Sequence, residues 1–172
     1  TGGDKGGSIF AESADVNLYG GALTGNSGLK QGGGVSLDCS NLNLYGGEIS
    51  GNSAENGGGV GALGTADVTV NGNVDGTLGG VAATEESKIT VNGDVDSDGV
   101  GALATDKGEV VVNGDVKGGE VGVAAEGEST VKVEGDVAGK DGAEQGGYGV
   151  VSTENAQVEV AGDVKGGNAE SD

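Results

Sequence analysis

The sequence predicts an all-β fold, a single-stranded parallel β-helix (β-solenoid) of about seven coils of 21–27 residues. A five-residue motif related to VNGDV returns at a regular interval, and apolar residues alternate with polar ones on both sides of it. Alternation with a period of two is typical of strands, and a repeat of about 20 to 50 residues is typical of solenoids. No stretch has the apolar spacing of a helix, so the helical repeat classes do not fit.

The repeated motif sets the register of the coils. The residues that open the motif, or its equivalent, are Leu18, Leu44, Val70, Val91, Val112, Val133 and Val160. The intervals between them are 26, 26, 21, 21, 21 and 27 residues, and the longer last interval predicts an insertion near residues 139–144. The chain is predicted to be one domain, 1–172, with coils at approximately 6–31, 32–57, 58–78, 79–99, 100–120, 121–147 and 148–168.

Each coil divides into three short strands with inward-facing apolar residues. In the first strand the inward candidates are Val60 and Ala62, Val81 and Ala83, Ala102 and Ala104, Val123 and Ala125, and Val150 and Ser152. In the second strand they are Val68 and Val70, Ile89 and Val91, Val110 and Val112, Val131 and Val133, and Val158 and Val160. In the third strand they are Val74, Val95, Val116, Val137 and Val164.

The corner of each coil places asparagine, glycine and aspartate at fixed positions. Glycine is expected there because it permits a bend that other residues resist. The asparagines form a column, Asn71, Asn92 and Asn113, which is predicted to hydrogen-bond from side chain to side chain and to free backbone groups. The corner is therefore rebuilt in each coil because the chain must turn there.

The aspartates of the corner form a second column, Asp94, Asp115, Asp136 and Asp163. Stacked at the coil spacing of about 4.8 Å, they have two alternative roles. Aspartate commonly caps backbone groups at a turn, and a hard cation such as Ca²⁺ prefers oxygen ligands and could bridge neighbouring carboxylates. These four residues are the metal candidates; no other cofactor and no catalytic residue is predicted.

Three further features of the sequence lead to specific predictions. A glycine column is predicted to face outward, covered by a flanking loop or free to pack against another molecule: Gly34, Gly59, Gly80, Gly101, Gly122 and Gly149. Tyr19 and Tyr45 share a column, which predicts a stacked pair or a small sugar platform. Cys39 continues the alternation of Val35 and Leu37, so it is predicted to be a small core residue.

Composition restricts the classes of function. The chain has 28 acidic residues, eight lysines, no arginine and no histidine, for a formal net charge of -20. A nucleic-acid partner is not expected because phosphate binding requires clustered basic residues. No apolar run approaches the ~20 residues of a membrane-spanning helix. Since most catalytic constellations need residue types that are missing here, the chain is not expected to be an enzyme.

Two segments, GGALTGNSGLKQGGGV at 20–35 and GGEISGNSAENGGGV at 46–60, resemble a known type of repeat. They are similar to the tandem repeats of right-handed parallel β-helix domains in bacterial surface proteins, including adhesins and autotransporter-like passengers. The resemblance implies a right-handed coil, an extracellular or cell-surface location, and a structural or adhesive role.

The first functional expectation is therefore a non-enzymatic extracellular module, the rod or stalk of a surface protein. A filament subunit that stacks its β-helix ends head to tail is one alternative, and a polysaccharide-binding or polysaccharide-degrading β-helix is another. The expected partners are other copies of the chain, adjoining repeats of a parent protein, and surface glycans. The absence of any methionine predicts a processed or excised segment.

Overall fold

The computed structural model describes residues 7–140 and 147–167, and in this part of the chain it confirms the predicted parallel β-helix. Each of seven coils contributes three strands, and equivalent strands of successive coils pair in parallel. The result is three seven-stranded sheets around one apolar interior. The described residues contain no helix. The handedness of the coil stays a prediction.

The strands follow one another in the same order in every coil. Coils 1 to 4 contain β1 (Ile9–Glu12), β2 (Asp15–Leu18), β3 (Ala22–Thr24), β4 (Val35–Asp38), β5 (Asn41–Leu44), β6 (Glu48–Asn52), β7 (Val60–Leu63), β8 (Asp67–Val70), β9 (Val74–Gly76), β10 (Gly79–Ala83), β11 (Lys88–Val91) and β12 (Val95–Ser97). Coils 5 to 7 contain β13 (Val100–Ala104), β14 (Glu109–Val112), β15 (Val116–Gly118), β16 (Val121–Ala125), β17 (Thr130–Val133), β18 (Val137–Gly139), β19 (Tyr148–Ser152), β20 (Gln157–Val160) and β21 (Val164–Lys165).

The register predicted from the sequence is confirmed. The second sheet stacks β2, β5, β8, β11, β14, β17 and β20, and its pairing places the seven motif-opening residues, from Leu18 to Val160, directly on one another. The first sheet begins with β1 and ends with β19, and the third begins with β3 and ends with β21. The predicted insertion near 139–144 extends into residues 141–146, which lie outside the described residues.

The interior consists of columns of aliphatic side chains. Val70, Val91, Val112 and Val133 have no exposed surface, and the third-strand column from Val74 to Val137 is equally buried. In the last described coil Val158 and Val160 are only partly buried, and Ser152, predicted to face inward, is exposed. No further described coil lies on that side, so these residues lack the neighbour that covers their equivalents.

The turn between the first and second strands uses one left-handed residue in every coil. The seven residues at this position, all with φ between 48° and 76°, are Ser13, Cys39, Gly64, Glu85, Asp106, Gly127 and Glu154. The prediction of Cys39 as a core residue is wrong, because β4 ends at Asp38 and the left-handed turn directs the Cys39 side chain outward, where it is exposed and free. Alternation ends with the strand, and Cys39 lies one residue beyond it.

The glycine column beside the first strand faces the interior, so the prediction that it faces outward is also wrong. Its members Gly34, Gly59, Gly80, Gly101, Gly122 and Gly149 are all buried. A Cβ on Gly101 would lie 2.6 Å from the carbonyl oxygen of Gly122 and 2.7 Å from Cγ1 of Val116. The chain turns from the third sheet into the first at this column, and the third-strand valines fill the space that a side chain would need.

We expect Gly101→Ala to lower the free energy of unfolding by about 1 to 3 kcal/mol, the usual effect of overpacking a well-packed interior. The matched control is Gly46→Ala, because a Cβ on Gly46 would meet no atom within 4 Å. Chemical denaturation of both variants measures the difference. Equal losses of stability would contradict the inward assignment of the column.

Candidate functional site

The aspartate column forms a ladder of hydrogen bonds between coils. Oδ1 of Asp94 accepts the backbone N–H of Asp115 at 2.9 Å, and Asp115 and Asp136 accept the N–H of the next aspartate at 2.9 and 2.8 Å. Asn73 begins the ladder by accepting the N–H of Asp94 at 2.9 Å. Each carboxylate therefore caps the backbone of the following coil rather than its own turn, and this is the role of the repeated aspartate.

The glycine of the motif provides the space for this ladder. A Cβ on Gly114 would collide with Oδ1 of Asp94, and a Cβ on Gly135 would collide with Oδ1 of Asp115. Neither glycine has a left-handed backbone. The bend predicted from the sequence therefore does not explain glycine here, because a side chain would collide with the preceding carboxylate and with the backbone carbonyl oxygen of the preceding glycine.

The metal candidates Asp94, Asp115, Asp136 and Asp163 are brought into one column, as predicted. In the described part of the chain, however, no three acidic, histidine or cysteine side chains form a group that could hold a metal ion. One oxygen of Asp94, Asp115 and Asp136 is already bound to a backbone N–H. The arrangement thus accounts for the column by backbone capping, and calcium binding stays a prediction without structural support.

We expect Asp115→Ala to lower the free energy of unfolding by about 1 kcal/mol, the usual net value of one hydrogen bond. Asp115→Asn should change it by less than about 0.5 kcal/mol, because the amide oxygen still accepts the N–H of Asp136. Thermal denaturation of the two variants distinguishes the contribution of the capping hydrogen bond to stability from that of the negative charge. An equal loss of stability in Asp115→Asn and Asp115→Ala would show that the negative charge, and not the acceptor oxygen, stabilises the column.

The asparagine column confirms the predicted side-chain ladder. Asn113 donates its amide to Oδ1 of Asn92 at 2.6 Å, Asn92 donates to Oδ1 of Asn71 at 2.8 Å, and Asn71 donates to the carbonyl oxygen of Leu44 at 3.0 Å. A second asparagine pair, which the sequence reasoning did not single out, lies in coils 1 and 2. Asn52 is fully buried and accepts both the backbone and the side-chain N–H of Asn26.

A shallow depression of about 190 Å³ lies beside the aspartate ladder on the third sheet. Its lining residues are Asn73, Val74, Asp75, Asp94, Val95, Asp96, Asp115 and Lys117. Asp75 is exposed, but partial burial of its carboxyl group raises its pKa, and the carboxylates of Asp96 and Asp98 raise the pKa further. Lys140 bridges these neighbours, with Nζ 2.9 Å from Oδ1 of Asp98 and 3.5 Å from Oδ1 of Asp96, and the bond to Asp98 raises the pKa of Lys140.

The raised pKa of Asp75 has a consequence for stability. The folded protein holds this proton to a higher pH than the unfolded chain, so the group begins to oppose folding as the pH rises above the ordinary value of 3.8, and the effect is complete above its folded-state pKa. We expect Asp75→Asn to raise the melting temperature at pH 7 and to have no effect at a pH below the ordinary value of 3.8.

Thermal denaturation at both pH values measures this difference. Glu120→Gln is the control, because it also removes one exposed carboxylate but does not contribute to the shift at Asp75. An equal gain in both variants at pH 7 would mean that net charge alone is responsible.

The outer face of the second sheet differs between the two halves of the molecule. In coils 1 to 3 a polar depression of about 350 Å³ is lined by Asp15, Asn17, Asn41, Asn43, Asp67 and Thr69. Tyr19 and Tyr45 follow at the end of the same strands, and their predicted stacking is confirmed, with ring centroids 5.1 Å apart and planes inclined by 6°. The asparagines and aspartates were missed as part of this surface, although they precede the tyrosines at alternate positions of both strands.

In later coils the same face is used for ion pairs. Nζ of Lys88 lies 2.7 Å from Oε1 of Glu109, and Nζ of Lys132 lies 2.7 Å from Oε1 of Glu134. The hydrogen bond to Glu134 raises the pKa of Lys132. Lysine and glutamate therefore form ion pairs on this half of the face, whereas in coils 1 and 2 amide side chains hydrogen-bond between coils.

The outer face of the first sheet carries no charged side chain along its central column. From coil 1 to coil 7 this column reads Phe10, Ser36, Gly61, Ala82, Leu103, Ala124 and Val151. The charged side chains of the first sheet, Glu12 and Asp38, lie instead at the ends of β1 and β4.

The fold defines the chain as a parallel β-solenoid. Comparisons with protein-family models, with curated proteins and with solved structures found no match. The described residues contain no apolar helix of membrane-spanning length.

Proposed function

We propose that this chain is a non-enzymatic structural and adhesive module of an extracellular surface protein, in which the stacked coils act as a rigid rod. The observation that carries the proposal is the unbroken column of Asn73, Asp94, Asp115, Asp136 and Asp163, which links five successive coils through side-chain to backbone hydrogen bonds. Such a column holds neighbouring coils in one orientation. Seven coils at about 4.8 Å give a segment about 30 Å long.

Two further observations support a module of this kind. The net charge of -20 keeps copies of the protein apart in solution, and the segments at 20–35 and 46–60 resemble repeats of bacterial surface proteins. The aspartates, which would be the first candidates for carboxylate catalysis, are engaged in capping the backbone. The residues of the ladder therefore have a structural role in the rod.

The location can be tested with an antibody raised against the chain. We expect the antibody to label intact cells of the source organism and expect brief protease treatment of those cells to remove the label. A cytoplasmic protein serves as the control and must stay unlabelled until the cells are permeabilised. Labelling that also requires permeabilisation would contradict the proposal.

A second candidate function, the subunit of a filament, is favoured by the ends of the sheets. β1, β2 and β3 lie at one end and β19, β20 and β21 at the other, each with one neighbouring strand among the described residues. Open strand edges pair readily with further strands. Further coils of a parent protein or a second copy could supply them, and contact between unlike ends generates a filament because it does not close.

Sedimentation velocity at increasing protein concentration, followed by negative-stain electron microscopy, separates the two candidates. A filament subunit forms larger species and visible fibres as the concentration rises. A protein that stays monomeric and non-fibrous at the highest concentration would eliminate the filament and leave the rod module.

A further inference from the structure

The outer face of the second sheet in coils 1 to 3 combines hydrogen-bonding groups with an exposed aromatic pair. We call the six lining residues Asp15, Asn17, Asn41, Asn43, Asp67 and Thr69 the amide face, and Tyr19 with Tyr45 the tyrosine pair. The tyrosines directly follow β2 and β5, and the N–H of Tyr45 still donates to the carbonyl oxygen of Leu18 at 2.8 Å, so the pairing of the two strands extends to the tyrosine pair. The two features therefore form one surface.

Hydrogen bonds between coils fix the amide face but use only part of its capacity. Asn41 donates its amide to Oδ1 of Asp15 at 2.7 Å, and Asn43 donates to Oδ1 of Asn17 at 3.3 Å. A primary amide has two N–H donors and an oxygen that accepts two bonds, so Asn41 and Asn43 each retain one donor and Asn17 retains both. These side chains are oriented before a ligand arrives, and the surface offers both donors and acceptors.

The tyrosine pair provides an apolar contact that is already ordered. Each ring has one side turned to the other, and the side chains remain 82% exposed at Tyr19 and 54% exposed at Tyr45. Stacking at the coil spacing restricts both rings, so little side-chain entropy remains to be lost on binding. An aromatic ring beside groups that both donate and accept hydrogen bonds suits a sugar, which presents C–H groups on its faces and hydroxyl groups around its rim.

Charge selects among sugars. The amide face and the tyrosine pair include two carboxylates and no cationic side chain, and the chain as a whole has a net charge of -20. Uronate, sulfate and phosphate groups would be repelled. In coils 4 to 7 the corresponding positions include the ion pair between Lys88 and Glu109 and a valine, Val111, so the surface is limited to the first three coils.

We propose that the amide face and the tyrosine pair form a binding site for a neutral polysaccharide, with sugar hydroxyls bonded to Asn17, Asn41 and Asn43 and a sugar face packed on the tyrosines. The site goes beyond the rod function and does not depend on it. Its polar residues lie on strands of the second sheet and its tyrosines directly follow two of these strands, so binding requires no rearrangement of the coils.

The test is native gel electrophoresis in gels that contain hydroxyethyl cellulose, glucomannan, arabinoxylan or dextran, with polygalacturonate as an anionic probe. We expect at least one of the four neutral polymers to slow the protein and polygalacturonate to leave its migration unchanged. Tyr45→Ala should weaken the apparent affinity by roughly three- to tenfold, the range expected for loss of one aromatic contact. Asn43→Ala should also weaken it.

Tyr148→Ala is the matched control, because Tyr148 is 57% exposed but belongs to β19 of the first sheet. Circular dichroism verifies that each variant is folded. No retardation by any of the four neutral polymers would overturn the proposal, as would equal losses in Tyr45→Ala and Tyr148→Ala or equal retardation by polygalacturonate. None of these outcomes affects the labelling test of the rod function, so the two proposals can fail separately.

Discussion

In-register stacking of the coils is the constraint on which the rest of this structure depends. Each coil must return to its starting point after three strands, so that all three sheets pair in parallel at once. A coil that failed to close would shift the register of every later strand. The turn positions are consequently as regular as the core, and a left-handed residue occupies the same place in all seven coils although five different residue types provide it.

The corner motif is best understood as a device for stacking. Two unit charges about 4.8 Å apart in water repel by about 0.9 kcal/mol, and dissolved salt weakens this repulsion. An intramolecular hydrogen bond contributes about 1 kcal/mol net, so the bond that the N–H of Asp115 donates to Asp94 offsets the repulsion between neighbouring carboxylates of the column. Glycine at position 114 is required because the carboxylate of Asp94 occupies the space beside it.

The same scaffold presents different chemistry on different faces. Apolar and small residues form the central outer column of the first sheet. The aspartate ladder and the depression that contains Asp75 lie at the third sheet. The second sheet changes from open amides and tyrosines in coils 1 to 3 to ion pairs in later coils. Outward positions outside the hydrogen-bonded ladders can change residue type while the backbone still pairs, so they can acquire binding roles.

The sequence by itself determined the parallel β-helix, the three strands of each coil and their register, because inward positions must repeat at every coil and a strand alternates with a period of two. It also placed the asparagine ladder and the tyrosine pair correctly. Only the tertiary structure decided the directions of Cys39 and of the glycine column at Gly101. Both lie where the chain leaves or enters a strand, and there the backbone dihedrals and the neighbouring sheet, rather than alternation, set where a side chain points.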